Sequence, residues 1–300
     1  MNARPLIGLV FAGGTLATAG SYAPFLWRRS VLAGAGAVCV VLIFVCVVFD
    51  GFFFYKAAET RSQAFSLAAH YAVFCCAGIS VLALSFADLW RQRNVESALL
   101  CLWLLGAFVF ATFVNWSVTA RTILPMAVPA GILVARRLGA DGTARPLRWW
   151  PLVPAALLSL WVAYGDFESA NSARAAAQRV ASQAERYPGK YWFMGHWGYQ
   201  YYLEEKGLRF LTPEAAAGVH AGDRVAIFRW LTLAPASFHR EDVVAVPDAG
   251  FHEADPAFVS THHPLTRSGF YSSVLGPLPY TLGPAPDVDV DVFEFRDLSR

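Results

Sequence analysis

Between residues 6 and 165 the chain strings together apolar runs close to membrane-spanning length, at about 6–26, 31–54, 65–87, 97–114, 122–135 and 149–165, joined by short turns that carry arginine. A hydrocarbon layer about 30 Å thick needs about 20 apolar residues per helix, and a helix suits it because it satisfies its own backbone. These runs restrict the fold to an α-helical polytopic membrane region of about six spans, residues 1–165. A chain that is 56% hydrophobic and 15% charged agrees. The first run is rich in Gly, Ala, Ser and Thr and the fifth is short, so each suits a tilted or protein-buried helix, and five spans is the fallback count.

Basic residues orient the bundle. Arg28 and Arg29, then Arg91 and Arg93, then Arg136, Arg137, Arg145 and Arg148 fall in alternate loops, whereas the loops between them hold only Lys56, Arg61 and Arg121. The first set is expected to be cytoplasmic, which puts both termini outside a bacterial inner membrane. The opening "PLIGLVFAGGTLATA" resembles a signal peptide only loosely. An exported N-terminus is natural where an odd number of spans precedes it, so the chain is expected to be the C-terminal portion of a longer protein. A net charge of +2 with no basic block or aromatic-basic stripe argues against nucleic acid.

From about Gly165 charges become regular and prolines cluster, so residues 166–300 are expected to form a small extracytoplasmic, periplasmic α/β domain. "ESANSARAAAQRVASQAERY" places Ala173, Ala177, Val180, Ala184 and Tyr187 on one helical face. "KYWFMG", "RVAIFRWL", "DVVAV" and "VDVFEF" read as strands, and "HWGYQYYLEEKG" as a helix ended by Gly207. All five cysteines fall in the apolar half and read as small helix-packing residues, leaving the tail without a disulfide framework.

The stretch 87–137, with "ADLWRQRNVESALLCLWLLGAFVFATFVNWSVTARTILPMAVPAGILVARR", resembles the later membrane helices of bacterial glycosyltransferase family 39-like proteins. "YWFMGHWGYQYYLEEKG" and "SGFYSSVLGPLPYTLG" are similar to pieces of the same branch, so the resemblance covers about residues 80–295. It implies a GT-C class membrane enzyme that takes a sugar from a polyprenyl-phosphate donor and passes it to an acceptor hydroxyl at the outer face. A carboxylate would accept the hydroxyl proton, and cationic groups or a divalent cation would stabilise the departing lipid phosphate.

Members of that class carry an acidic catalytic motif in the first extracytoplasmic loop, and no matching motif stands here. The early carboxylates are Asp50, in "VFDGFFFYKAAETR", and Glu59, and neither inherits the family's role. Arg121 is the candidate for the lipid phosphate, because guanidinium offers a bidentate fork to phosphate oxygens. Its plainer role is an interfacial arginine reaching headgroups. Pro125 and Pro129 suit a broken helix lining a cavity or a packing kink.

In "GHWGYQYY", His196 and Trp197 can line a sugar or anion site at a helix N-terminus, or pack the domain. His252, Glu253, Asp255, His262 and His263 have metal-capable side chains at irregular spacing and read as solvated loop. The alternative to an enzyme is a noncatalytic membrane subunit or scaffold, with the exported domain meeting a membrane-protein partner. A transporter fits less well, because among Asp, Glu, Lys, Arg and His the third run holds His70 alone and no repeat is visible.

Overall fold

Leu16 and Pro24 divide the first apolar run into short helices in the computed structural model, which describes residues 4–48, 61–139, 149–229 and 242–296. These are α1 (Arg4–Thr15), α2 (Ala17–Ser21) and α3 (Ala23–Leu26). Leu16 leaves helical geometry at φ −98° and ψ 34°. Pro24 falls in the first turn of α3, where its missing N–H removes no helical bond. The longest piece has 12 residues, so this run is not the single span its composition suggests.

Longer helices follow: α4 (Arg29–Val48), α5 (Arg61–Gln92) and α6 (Val95–Val109). The Asn94 side chain caps α6 by accepting the Ser97 N–H at 2.9 Å, and a π turn (Phe110–Val114) extends the helix. After the loop come α7 (Ala120–Ile123), a 3-10 turn (Leu124–Met126) and α8 (Ala127–Gly139). Among the described residues four helices are long and apolar enough to cross a membrane: Arg29–Val47, Ser62–Gln92, Val95–Val114 and Ala120–Gly139. The expected sixth run is the start of α9 (Leu152–Arg186), whose apolar stretch ends at Gly165 and Asp166. Among the described residues the six expected spans therefore become four candidate helices.

The chain divides into two units, Met1–Tyr164 with Val259–Gly283, and Gly165–Phe258 with Pro284–Arg300. In the first, α1 crosses α5 where both have glycine. A Cβ on Gly13 would stand 1.9 Å from the Phe74 carbonyl oxygen, and one on Gly78 would stand 2.1 Å from that of Leu9. Small residues let backbones approach this closely, as in membrane helix pairs. Phe11, Leu104, Ile123, Met126 and Leu133 are fully buried in the adjoining core.

One end of this unit is tied by charge. Arg136 on α8 reaches Asp88 on α5 at 3.3 Å and Glu96 on α6 at 2.7 Å, while the Ser97 hydroxyl donates to Asp88 at 2.7 Å. Arg137 donates to the Leu26 carbonyl at 3.3 Å, and the Trp27 indole N–H donates to Ser80 at 2.7 Å. Among the described residues, the turns after α3 and α5 and the end of α8 are thus gathered at one end.

Residues 259–283, expected in the tail domain, fold with the helices instead. Val259–Ser260 pairs with Thr281–Leu282, and His262–His263 pairs with Ser268–Gly269. The hydroxyls of Ser260, Thr266 and Ser268 bond one another at 2.8–3.0 Å, which lets this polar knot be buried.

The second unit is built on a six-stranded sheet. Its strands are β1 (Tyr191–Met194), β2 (Arg209–Phe210), β3 (Arg224–Phe228), β4 (Val243–Ala245), β5 (Phe251–Glu253) and β6 (Val288–Phe295). β1 lies parallel to β2 and β3, and β6 runs antiparallel to β3, β4 and β5. The end of α9 packs Ala173, Ala177 and Val180 into the sheet core beside Phe193, Tyr199 and Val290, the face its spacing predicts. α10 (Trp197–Glu205) and α11 (Pro213–Ala216) complete the unit.

Candidate functional site

The loop 115–121 and the broken helix after it form the most sharply constructed region of the first unit. The Asn115 amide donates to the Ser117 carbonyl at 2.7 Å. Thr119 and Thr122 form a capping box, each side chain accepting the other's backbone N–H, at 3.1 and 3.3 Å. That box starts α7. Pro125 cannot supply a helical N–H and lies in the 3-10 turn, while Pro129 sits in the first turn of α8, where an N–H would have no helical acceptor.

Residues 270–273 clasp this loop. Val118 and Ser273 exchange bonds, Val118 N–H to Ser273 Oγ at 3.0 Å and Ser273 N–H to the Val118 carbonyl at 2.9 Å. The Ala120 N–H donates to the Phe270 carbonyl at 2.9 Å, and the Ser117 and Ser272 hydroxyls meet at 3.0 Å. The Arg4 guanidinium donates to the Trp116 carbonyl at 3.0 Å.

Farther along the returning segment, the Tyr280 hydroxyl donates to the Gly14 carbonyl at 3.3 Å, and burial pushes this phenol above its usual range, keeping it a donor. His70 takes the Leu282 N–H on Nε2 at 3.2 Å and places Nδ1 2.7 Å from the Ser66 carbonyl. With Nε2 accepting, Nδ1 is placed to donate to the Ser66 carbonyl.

Arg121 projects from α7 into solvent-accessible space and makes no ion pair among the described residues. Beyond it, an apolar groove of about 400 Å³ runs along α8. Ala127, Gly131 and Leu138 form one wall, and Thr15, Ala19 and Tyr22 of the broken first run form the other. The small side chains of Thr15, Thr18 and Ala19, which weaken the first run as a span, are the ones that line the groove. Arg121 is not part of the lining, and at about 1.5 Å per helical residue its Cα stands roughly 9 Å along the chain from Ala127.

The other sequence candidates lie elsewhere. Asp50 and Glu59 are outside the described residues. His196 and Trp197 are in the second unit, at the start of α10. Gly195 has φ 149°, and a Cβ there would stand 2.8 Å from the Tyr199 ring, so glycine is required. His196 stacks on Phe210 with ring centroids 5.4 Å apart and lies 3.4 Å from Gln200 Oε1, while Trp197 is half exposed. The half-buried His196 ring stacks one face on Phe210, and Trp197 and Tyr201 are exposed beside it.

Among the described residues no three His, Cys, Asp or Glu side chains converge to hold a metal ion. His252, Glu253 and Asp255 belong to the second unit, and His262 and His263 to the first. His252 Nδ1 instead lies 2.6 Å from Asp289, whose other oxygen accepts from Arg229 at 3.3 Å. The groove walls and the clasp have no sequence signature: both depend on segments remote in the chain.

Asp255 has a carboxyl raised above the usual range, first by burial and then by the neighbouring charges of Glu168 and Asp287, against the lowering bond from the Ala257 N–H. The folded state therefore holds this proton more tightly than the unfolded chain. Its contribution falls as pH rises from the ordinary carboxyl value through the raised one. Asp255→Asn keeps an oxygen for Ala257 and removes the charge. Thermal unfolding is expected to show the variant more stable than the parent at pH 7 and equal to it below about pH 3; a variant less stable at pH 7 would refute the burial argument.

Comparison with protein-family models, with curated proteins and with solved structures finds no match.

Proposed function

We propose that the protein is a multi-pass bacterial inner-membrane protein that handles a polyprenyl-phosphate-linked sugar at the outer face, as a glycosyltransferase family 39-like enzyme does. Membrane insertion is supported by α4, whose mean hydropathy is 2.7 while only 6% of its apolar window is buried within the chain. Val40, Val41 and Phe44 lie open on it, a surface that water would not tolerate.

The observation that carries the functional reading is the apolar groove beside the broken helix. An isoprenoid tail needs an apolar channel, and its phosphate needs a cation within reach of the channel mouth. In this reading the tail lies along Ala127, Gly131 and Leu138, and the Arg121 fork takes the phosphate. The clasp from 270–273 fixes the loop that presents Arg121. Asp50, which lies outside the described residues, is the carboxylate to test as acceptor of the hydroxyl proton.

Arg121→Ala should weaken binding of a polyprenyl-phosphate sugar 10- to 100-fold, since hydrogen bonds to charged groups contribute about 1.5–3 kcal/mol. Gly131→Trp should block the tail, because Gly131 lines the groove, its Cβ position is open, and an indole built there would occupy the space the tail needs. Labelling by a photoreactive polyprenyl phosphate in native membranes measures both. Undiminished labelling of both variants would sink the reading.

A second reading has an observation of its own. In the described part of the first unit the carboxylates are Asp88 and Glu96, and both are bound to Arg136. This favours a noncatalytic subunit that binds the lipid-linked sugar for a partner. Crosslinking would then capture a stable membrane-protein partner, and Asp50→Asn would leave transfer by the assembled pair unchanged.

A further inference from the structure

The α4–α5 crossing brings two thiols together. Cys39 Sγ lies 3.2 Å from Cys76 Sγ, a contact between residues 37 apart in sequence. Each thiol also points at the carbonyl one turn before the other: Cys39 toward Ala72 at 3.7 Å, and Cys76 toward Ala35 at 3.8 Å. The two side chains are therefore interleaved and directed at each other. The small residues Ala35 and Ala72 permit it.

Closing from 3.2 Å to a disulfide bond of about 2.05 Å requires the sulfurs to move by roughly 1 Å. Cys46, Cys75 and Cys101 are buried, whereas Cys39 and Cys76 are half-buried and open to what surrounds the helices. Cys39 is about 15 Å along α4 from Arg29, near the middle of a hydrocarbon layer about 30 Å thick. Charged oxidants such as glutathione disulfide do not enter that layer. A lipid-soluble one does.

We propose that Cys39 and Cys76 form a redox-active dithiol whose oxidant is a membrane quinone. Two S–H bonds break and one S–S bond forms; the two electrons and two protons pass to the quinone, which leaves as the quinol. The product is a covalent link between α4 and α5. This inference rests on the membrane-spanning reading of α4 and α5, but not on the sugar-donor reading.

The test uses the full chain in native membranes, reduced and then exposed to a decyl-benzoquinone. Alkylation followed by intact-mass measurement is expected to show two fewer reactive thiols. Non-reducing peptide mapping is expected to join the Cys39 and Cys76 peptides, at a rate at least tenfold above that with glutathione disulfide. Cys39→Ser and Cys76→Ser should each abolish the link, and Cys101→Ser should retain it.

Five alkylated thiols after quinone treatment, a link through Cys46 or Cys75 instead, or equal rates with the two oxidants would overturn the proposal. An alkaline wash of the same membranes separates the two failures. Release of the protein would sink the spanning reading, whereas retention without the link sinks the dithiol alone.

Discussion

Gly13→Ala is expected to lower the stability of the first unit by more than about 3 kcal/mol, read as a large drop in melting temperature and in folded yield from detergent. Glycine to alanine inside a helix ordinarily stabilises by up to about 1 kcal/mol, so the expected sign is reversed. The reversal has a steric cause. The new methyl would meet the Phe74 carbonyl oxygen at 1.9 Å and the Gly78 nitrogen at 2.6 Å, and backbone cannot rotate aside as a side chain can.

Gly78→Ala should behave alike through the Leu9 carbonyl, and the double variant should cost little more than either single, because one separation of α1 from α5 relieves both contacts. Gly36→Ala is the control, with open space around its Cβ position. A Gly13→Ala protein that melts with the parent would show that the helices do not cross this closely.

Asp223→Ala should be the most damaging single change in the second unit, costing about 3–5 kcal/mol. Its buried carboxylate accepts the Lys190 N–H at 3.3 Å, the Trp192 indole N–H at 3.3 Å and the His220 N–H at 3.1 Å, so it joins β1 to the turn that precedes β3. Removing it leaves three donors without that acceptor, with Trp192 itself buried. Asp223→Asn, which keeps one accepting oxygen, should fall between. Denaturant unfolding followed by hydrogen exchange of the β1 amides reports the loss, and an alanine variant within about 0.5 kcal/mol of the parent would contradict the role assigned to this carboxylate.

The elements that were legible in the sequence are those with local causes. Apolar length marks α4, α5 and α6; Pro125 and Pro129 mark the break before α8; alternation marks β6; and the alanine face at 173, 177 and 180 marks the end of α9. The first run misleads because its small residues look like a weak span, when Gly13 is where α1 packs against α5 and Thr15 and Ala19 are on the wall of a groove. The returning segment is invisible for a different reason. Its strands are two residues long and are held by hydroxyl-to-hydroxyl bonds among Ser260, Thr266 and Ser268, which have no periodicity.

The candidate site divides the same way. Arg121 stands out as a cation at the edge of an apolar run. The groove needs α8 beside the broken first run, and the Cys39–Cys76 pair needs α4 across α5, and neither neighbourhood is written in local pattern.

The clasp also sets a timetable for biosynthesis. Ser117 and Ser272 are 155 residues apart, and a ribosome adding about 5–20 residues per second delivers the second roughly 8–30 s after the first. Through that interval the loop that presents Arg121 is already made while its backbone partners are not. Arrest of translation before residue 270 would yield inserted helices whose loop 115–121 exchanges its amide hydrogens freely, and those amides would become protected only once the chain had been extended past Leu282.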